Sequence, residues 1–170
     1  LVWHKELKQD EYDSYVLPGG FSYGDYLRAG AIAASSPSLK IIREAAEKRK
    51  PVLGICNGFQ ILVEGGLLPG AVLRNSGLRF VCKWTRLRVE NNRTAFTNLA
   101  AKGQTLNMPI AHNEGRYYLD KQERAKLENN RQIVLRYVDD DDQPTEEANP
   151  NGSLDNIAGI SNPEGNVMGL

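Results

Sequence analysis

The stretch Lys50-Pro51-Val52-Leu53-Gly54-Ile55-Cys56-Asn57-Gly58-Phe59-Gln60-Ile61-Leu62 constrains the fold of this chain more than any other. Pro51 to Ile55 is a short apolar run with the length and composition of a buried strand. Asn57 to Glu64 reads as the start of a helix, with Phe59, Ile61, Leu62 and Val63 apolar. Cys56 falls on the sharp turn between them, the layout of a nucleophile elbow. Such a turn demands small neighbours. Gly54 and Gly58 stand two residues either side, where side chains would collide with the helix passing behind the strand. The first N–H groups of a helix have no internal partner and carry the positive end of its dipole. A thiol placed there is expected to ionise more easily than a free cysteine. The Asn57 N–H is expected to face an oxyanion forming on a carbonyl that the sulfur attacks. A buried core cysteine between two packing glycines fits the same spacing; strand before and helix after favour the nucleophile.

At 170 residues the chain suits a single domain, 1–170, with a sizeable core. Lys+Arg and Asp+Glu both number 21, so zero net charge argues against a nucleic acid or an anionic membrane as partner. No apolar run approaches the roughly 18 to 20 residues of a membrane span, and Leu1 to Glu6 lacks the basic-then-apolar order of a signal peptide. Cys56 and Cys82 lie far apart with no C-x-x-C, and there are only two histidines. That speaks against a disulfide framework or a metal site, and for a reducing, cytoplasmic setting. With no initiator Met and an end inside an apparent strand, the chain is expected to be incomplete at both ends.

Leu1 to Trp3 is predicted to be the tail of a first strand and Tyr15 to Leu17 a second. The second ends at Pro18-Gly19-Gly20, either a plain tight turn or one that aims backbone N–H groups at an anion. A parallel sheet would bring this strand end to the same edge as Cys56, which favours the functional reading. Phe21 to Ala34, rich in glycine, tyrosine and small residues, either borders the site or is surface. Ser36-Pro37 opens a helix whose apolar stripe is Leu39, Ile42, Ala45 and Ala46. Pro51 is expected to stop it, completing a β-α-β crossover into the elbow strand.

Gly65 to Gly70 is a break, and Phe80 to Glu90 alternates like a strand through Phe80, Cys82, Trp84, Leu87 and Val89. Cys82 is accordingly expected to be a small buried hydrophobe. Arg79, Lys83, Arg86 and Arg88 are expected on one face, either solvated or a partner surface. His112 and Glu114, spaced H-x-E, fit either the base and orienter of a thiolate triad or a loop bonded locally. Asp120 and Glu123 form a capping box for a short helix, and Ile133 to Val138 reads as a strand. Asp139 to Asp142 is expected to be a solvated loop, since neighbouring side chains cannot converge on one ion. Ile157 to Ile160 and Val167 to Leu170 flank Asn162-Pro163-Glu164-Gly165 as a hairpin. Asn92-Arg93-Thr94 and Asn151-Gly152-Ser153 match glycosylation sequons by chance.

Taken together, these pieces resemble the class I, triad-type glutamine amidotransferases. More narrowly, they resemble the family of glutaminase subunits of phosphoribosylformylglycinamidine synthase. The likeness covers essentially the whole chain and rests on residues 17–33, 54–62, 66–71, 78–84, 109–115 and 149–160. It implies an α/β fold, an open and mostly parallel flavodoxin-like sheet flanked by helices, with an added hairpin near the C-terminus. It implies that Cys56 attacks the side-chain amide of glutamine, forms a γ-glutamyl thioester and releases ammonia. Gly20 and Asn57 would donate to the oxyanion, and Gly19, Gly20 and Gln60 would hold the substrate. Partners implied are a formylglycinamidine ribonucleotide synthetase subunit and a small accessory subunit, with ATP and Mg²⁺ on the synthetase and no cofactor on this chain.

The family's triad histidine and glutamate come from a His-Pro-Glu just after the strand that ends here at Leu170, so neither role is assigned. His112 and Glu114 match instead the family's Ala-His-x-Glu-Gly loop, where Asn113 replaces the usual glycine. A polypeptide of these residues alone is expected to be inactive. The alternatives are a glutaminase domain serving another synthetase and a catalytically silent docking module of the same fold.

Overall fold

The computed structural model describes residues 1–25 and 27–170; Tyr26, inside the glycine- and tyrosine-rich segment, lies outside the described residues. The elements in order are β1 (Tyr15–Leu17), α1 (Pro37–Glu47), β2 (Val52–Gly54), α2 (Asn57–Glu64), β3 (Ala71–Leu73), β4 (Val81–Val89), β5 (Thr105–His112), β6 (Arg116–Tyr118), α3 (Lys121–Asn129), β7 (Ile133–Val138), β8 (Ile157–Ser161) and β9 (Val167–Gly169). Seven strands form one sheet in the order β1-β2-β9-β8-β7-β4-β5, and β3 pairs with β6 in a separate two-stranded sheet.

The class is α/β as expected, but the sheet is mixed. Only β1–β2 and β2–β9 pair in parallel, while β9–β8, β8–β7, β7–β4 and β4–β5 are antiparallel. A parallel neighbour needs a long crossover, which α1 supplies between β1 and β2, whereas later strands return through turns and loops. The hairpin of β8 and β9 is no appendage. It sits at the centre of the sheet, with β9 hydrogen-bonded directly against the elbow strand β2.

Strand alternation sends successive side chains to opposite faces, and the core divides accordingly. On one side Leu39 and Ile42 of α1, Phe59 and Leu62 of α2 and Leu127 of α3 pack with Val52, Ile160 and Val167. On the other, Leu87, Val89, Val134, Leu135, Tyr137, Ala158 and Met168 cluster together.

Four local expectations need correction. Leu1–Trp3 forms no strand; the Glu6 N–H donates to the Trp3 carbonyl and closes a turn there. Helix α1 ends before Pro51, at Glu47, where Arg49 turns the chain with φ of 65°. Cys82 is exposed, because the buried phase of β4 is Thr85, Leu87 and Val89, leaving Cys82 and Trp84 outside. The same phase separates Lys83 from Arg86 and Arg88, so the basic residues do not share a face. Arg86 instead pairs with Asp142 at 2.7 Å, and Asp142 also accepts from the Thr105 hydroxyl, tying the aspartate run to β4 and β5.

Candidate active site

The parallel register of β1 and β2 places Leu17 opposite Gly54, so both strands end at the same edge. The chain leaving β1 is Pro18-Gly19-Gly20; the chain leaving β2 is Ile55-Cys56. A Cβ on Gly19 would lie 3.3 Å from the Cys56 Cβ and 4.0 Å from its Sγ. Gly20 has φ of 132°, a conformation L side chains rarely adopt, and its N–H is one of two that favour the ionised form of the sulfur. From the other side Asn57 opens α2 directly after Cys56, so the first N–H of the helix belongs to the residue next to the sulfur and favours its ionised form. Two strand ends and one helix start thus converge on a single atom.

Cys56 itself is held at φ 52° and ψ −107°, a region that costs a non-glycine residue on the order of 1–3 kcal/mol. The surroundings enforce it. Its N–H donates to the Leu170 carbonyl at 2.8 Å, and its carbonyl accepts from the Gln60 N–H at 3.1 Å. A Cβ on Gly54 would meet the Gly58 carbonyl at 2.7 Å, and one on Gly58 would collide with the Leu17 carbonyl. The two glycines are there for closeness of approach, as the spacing implied.

The charge state departs from expectation. Burial pushes the Cys56 thiol up, the N–H groups of Asn57 and Gly20 pull it down less, and the Asp25 carboxylate adds to the rise. A helix start alone does not offset desolvation when no cation faces the sulfur. Among the described residues the Sγ finds only the Ala111 carbonyl, at 3.9 Å, as hydrogen-bond acceptor.

Gln60 lies one turn along α2 and is buried, its amide engaged at both ends. Its Nε2 donates to the Glu114 carbonyl at 2.7 Å and its Oε1 accepts from Asn57 Nδ2 at 2.8 Å. Asn57 Nδ2 also reaches Asp25 Oδ1 at 3.3 Å. The Asp25 carboxyl is raised, first by burial and then by the nearby Glu114. Segment 21–25 therefore borders the site, one of the two readings the sequence left open.

His112 is bonded locally: its Nε2 faces Asn151 Nδ2 at 3.1 Å, and burial lowers its pKa while Glu114 partly opposes this. No bond joins its ring to the sulfur. The loop reading of the H-x-E pair therefore holds here. A cavity of about 470 Å³ opens from Cys56 beneath β5, past Ala111 and His112 to Tyr137. Tyr137 of β7 lines this cavity, while Asn75 and Asn151, bonded to residues 112–115 beside it, gave no periodic signal because loops distant in sequence bury them. Among the described residues no group of three or more His, Cys, Asp or Glu is placed to hold a metal, and no helix is long and apolar enough to cross a membrane.

The model of the CobB/CobQ-like glutamine amidotransferase domain matches residues 2–170. A phosphoribosylformylglycinamidine synthase subunit PurQ from Thermomicrobium roseum is 56% identical over all of this chain, which spans 72% of that relative. The subunit of the same name from Aquifex aeolicus is 57% identical, again over the whole chain and 75% of the relative. Among solved structures, that of PurLQS from Thermotoga maritima superposes with a TM-score of 0.82 at 49% identity, covering 97% of this chain and 70% of that one. A glutamine amidotransferase from the same organism, 22% identical with a TM-score of 0.58 over 97% of this chain and 57% of its own, shares the fold. The chain belongs to the CobB/CobQ-like glutamine amidotransferases, and within them to the PurQ subunits of phosphoribosylformylglycinamidine synthase.

Proposed function

We propose that Cys56 is the nucleophile of a glutaminase: it attacks the side-chain amide carbon of glutamine, expels ammonia and leaves a γ-glutamyl thioester that water hydrolyses. The observation that carries this reading is the seating of Cys56, at φ 52°, at the start of α2 and against the Gly19-Gly20 corner, where a Gly19 Cβ would lie 4.0 Å from the sulfur. When sulfur bonds to the amide carbon, the carbonyl oxygen gains charge beside the N–H groups of Gly20 and Asn57, each worth roughly 3–4 kcal/mol of barrier. Gly19 leaves room for the incoming carbonyl, and Gln60 braces the start of α2 beneath it.

Because burial keeps the resting thiol protonated, the attack needs a base. The Cys56 N–H donates to the Leu170 carbonyl, so a polypeptide continuing past Leu170 would leave β9 beside the nucleophile. A histidine carried there, as in the His-Pro-Glu of the family, would take the proton and deliver it to the departing ammonia. The ammonia would pass to a synthetase subunit that converts formylglycinamide ribonucleotide to formylglycinamidine ribonucleotide. ATP and Mg²⁺ would be held on that subunit, and a small accessory subunit would join the assembly. The relatives' names and the PurLQS assembly of the similar structure support this destination.

A diazoketone analogue of glutamine tests the site. Incubated with the full-length subunit and its synthetase, it is expected to label Cys56 alone on peptide mass mapping, and Cys56→Ala is expected to abolish glutamine-dependent but not ammonia-dependent turnover. Label on Cys82, or none with the synthetase present, would overturn the assignment.

A further inference from the structure

Resting on the thioester reading above, we propose that Asn75 and Asn151 are positioning residues of the Cys56 site, acting through the strap formed by residues 112–115. Both are buried to within 1% of their surface, and they come from two loops distant in sequence that meet where the Ser76 N–H donates to the Asn151 carbonyl at 3.0 Å. Asn75 accepts from the Gly115 N–H at 3.0 Å, donates through Nδ2 to the His112 carbonyl at 3.0 Å, and gives its own N–H to the Asn113 carbonyl at 2.9 Å. Asn151 donates through Nδ2 to the Gly115 carbonyl at 2.8 Å and faces His112 Nε2 at 3.1 Å. A carbonyl can only accept, so the Asn151 nitrogen is the donor, and Nε2 of a neutral His112 is its acceptor. Ser153 adds a hydroxyl to the same Gly115 carbonyl at 3.0 Å.

The front of the strap touches the chemistry. Ala111, immediately before it, presents its carbonyl to the sulfur at 3.9 Å, and Glu114 presents its carbonyl to Gln60 at 2.7 Å. Gln60 in turn holds the side chain of Asn57, the first residue of α2 and the neighbour of the nucleophile. A continuous run of hydrogen bonds therefore leads from two buried amides, through the strap and Gln60, to Asn57. The second sequon match acquires a role as well: the Asn151 amide is wholly enclosed in the folded chain and spent on the strap.

The test uses the full-length subunit assembled with its synthetase. Asn75→Ala and Asn151→Ala are expected to lower glutamine-dependent kcat and the rate of diazoketone labelling about ten- to a hundred-fold, the effect of a small displacement in an oriented site. Alkylation by iodoacetamide, which requires the thiolate but no oriented carbonyl, is expected to fall far less than diazoketone labelling, and ammonia-driven turnover on the synthetase is expected to keep its wild-type rate. Gln60→Ala lies on the same path, so the double variant with Asn151→Ala is expected to be no slower than the slower single. If Asn151→Ala does not fold, Ser153→Ala is expected to give a smaller loss in the same direction. Folded variants with an unchanged ratio of diazoketone to iodoacetamide reactivity, or single effects that multiply in the double variant, would overturn the proposal alone. A wild-type protein that takes no label withdraws the thioester reading and this proposal with it.

Discussion

At the scale of single residues, the site is governed by how closely three backbones approach. Gly58 permits the start of α2 to lie against the end of β1, and a methyl group there would strike the Leu17 carbonyl, which a backbone cannot rotate away. Gly58→Ala is expected to destabilise the protein by about 3 kcal/mol, the upper end for overpacking, and to lower Tm by roughly 6–12 °C. Thermal unfolding checks this; an unchanged Tm would mean that the elbow is looser than described. Gly54, Cys56 and Gly58 were legible in the sequence because their steric demand is local. Cys82 was misread for the opposite reason. Its burial depends on which phase of β4 meets the rest of the sheet, and the apolar residues of that strand change phase between Trp84 and Leu87.

Among the elements, α2 carries the nucleophile and was visible in full as Asn57–Glu64. Helix α3 illustrates the same legibility on the surface. Asp120 accepts from the N–H groups of Gln122 and Glu123 at 2.9 and 2.8 Å, the Asp120 half of the expected capping box, while the Glu123 side chain makes no return bond to the Asp120 N–H. Asp120→Ala is expected to cost about 1 kcal/mol, a fall in Tm of roughly 2–4 °C, with glutaminase activity retained; a larger activity loss would tie α3 to the site. Less visible were β3 and β6. Each spans three residues and exists only by pairing with the other, so neither leaves a periodic trace. Ser36 stands at the N-cap of α1, as Ser36-Pro37 implied, but its hydroxyl bonds His4 and Ser38 and not the helix's own N–H groups.

For the whole molecule, stability should report the burial of His112, the last residue of β5, against the loop at Asn151. Its folded pKa lies below the ordinary 6.5, chiefly through desolvation, with Glu114 opposing. Between the two values the unfolded chain binds more protons, so this contribution is complete above about pH 6.5 and lost as pH falls through the folded value. Urea unfolding across pH 5 to 8 (a span around about 6.5) is expected to show that decline, and His112→Asn to flatten it; identical profiles would refute the assignment. The sequence alone determined the strand-turn-helix around Cys56, the crossover through α1 and the family, because these depend on neighbours within a few residues or on contiguous motifs. Tertiary structure decided the rest. It set β9 against the elbow, Gly20 against the sulfur and two distant asparagines behind the 112–115 strap, and desolvation there raised the thiol pKa that the helix start alone would have lowered.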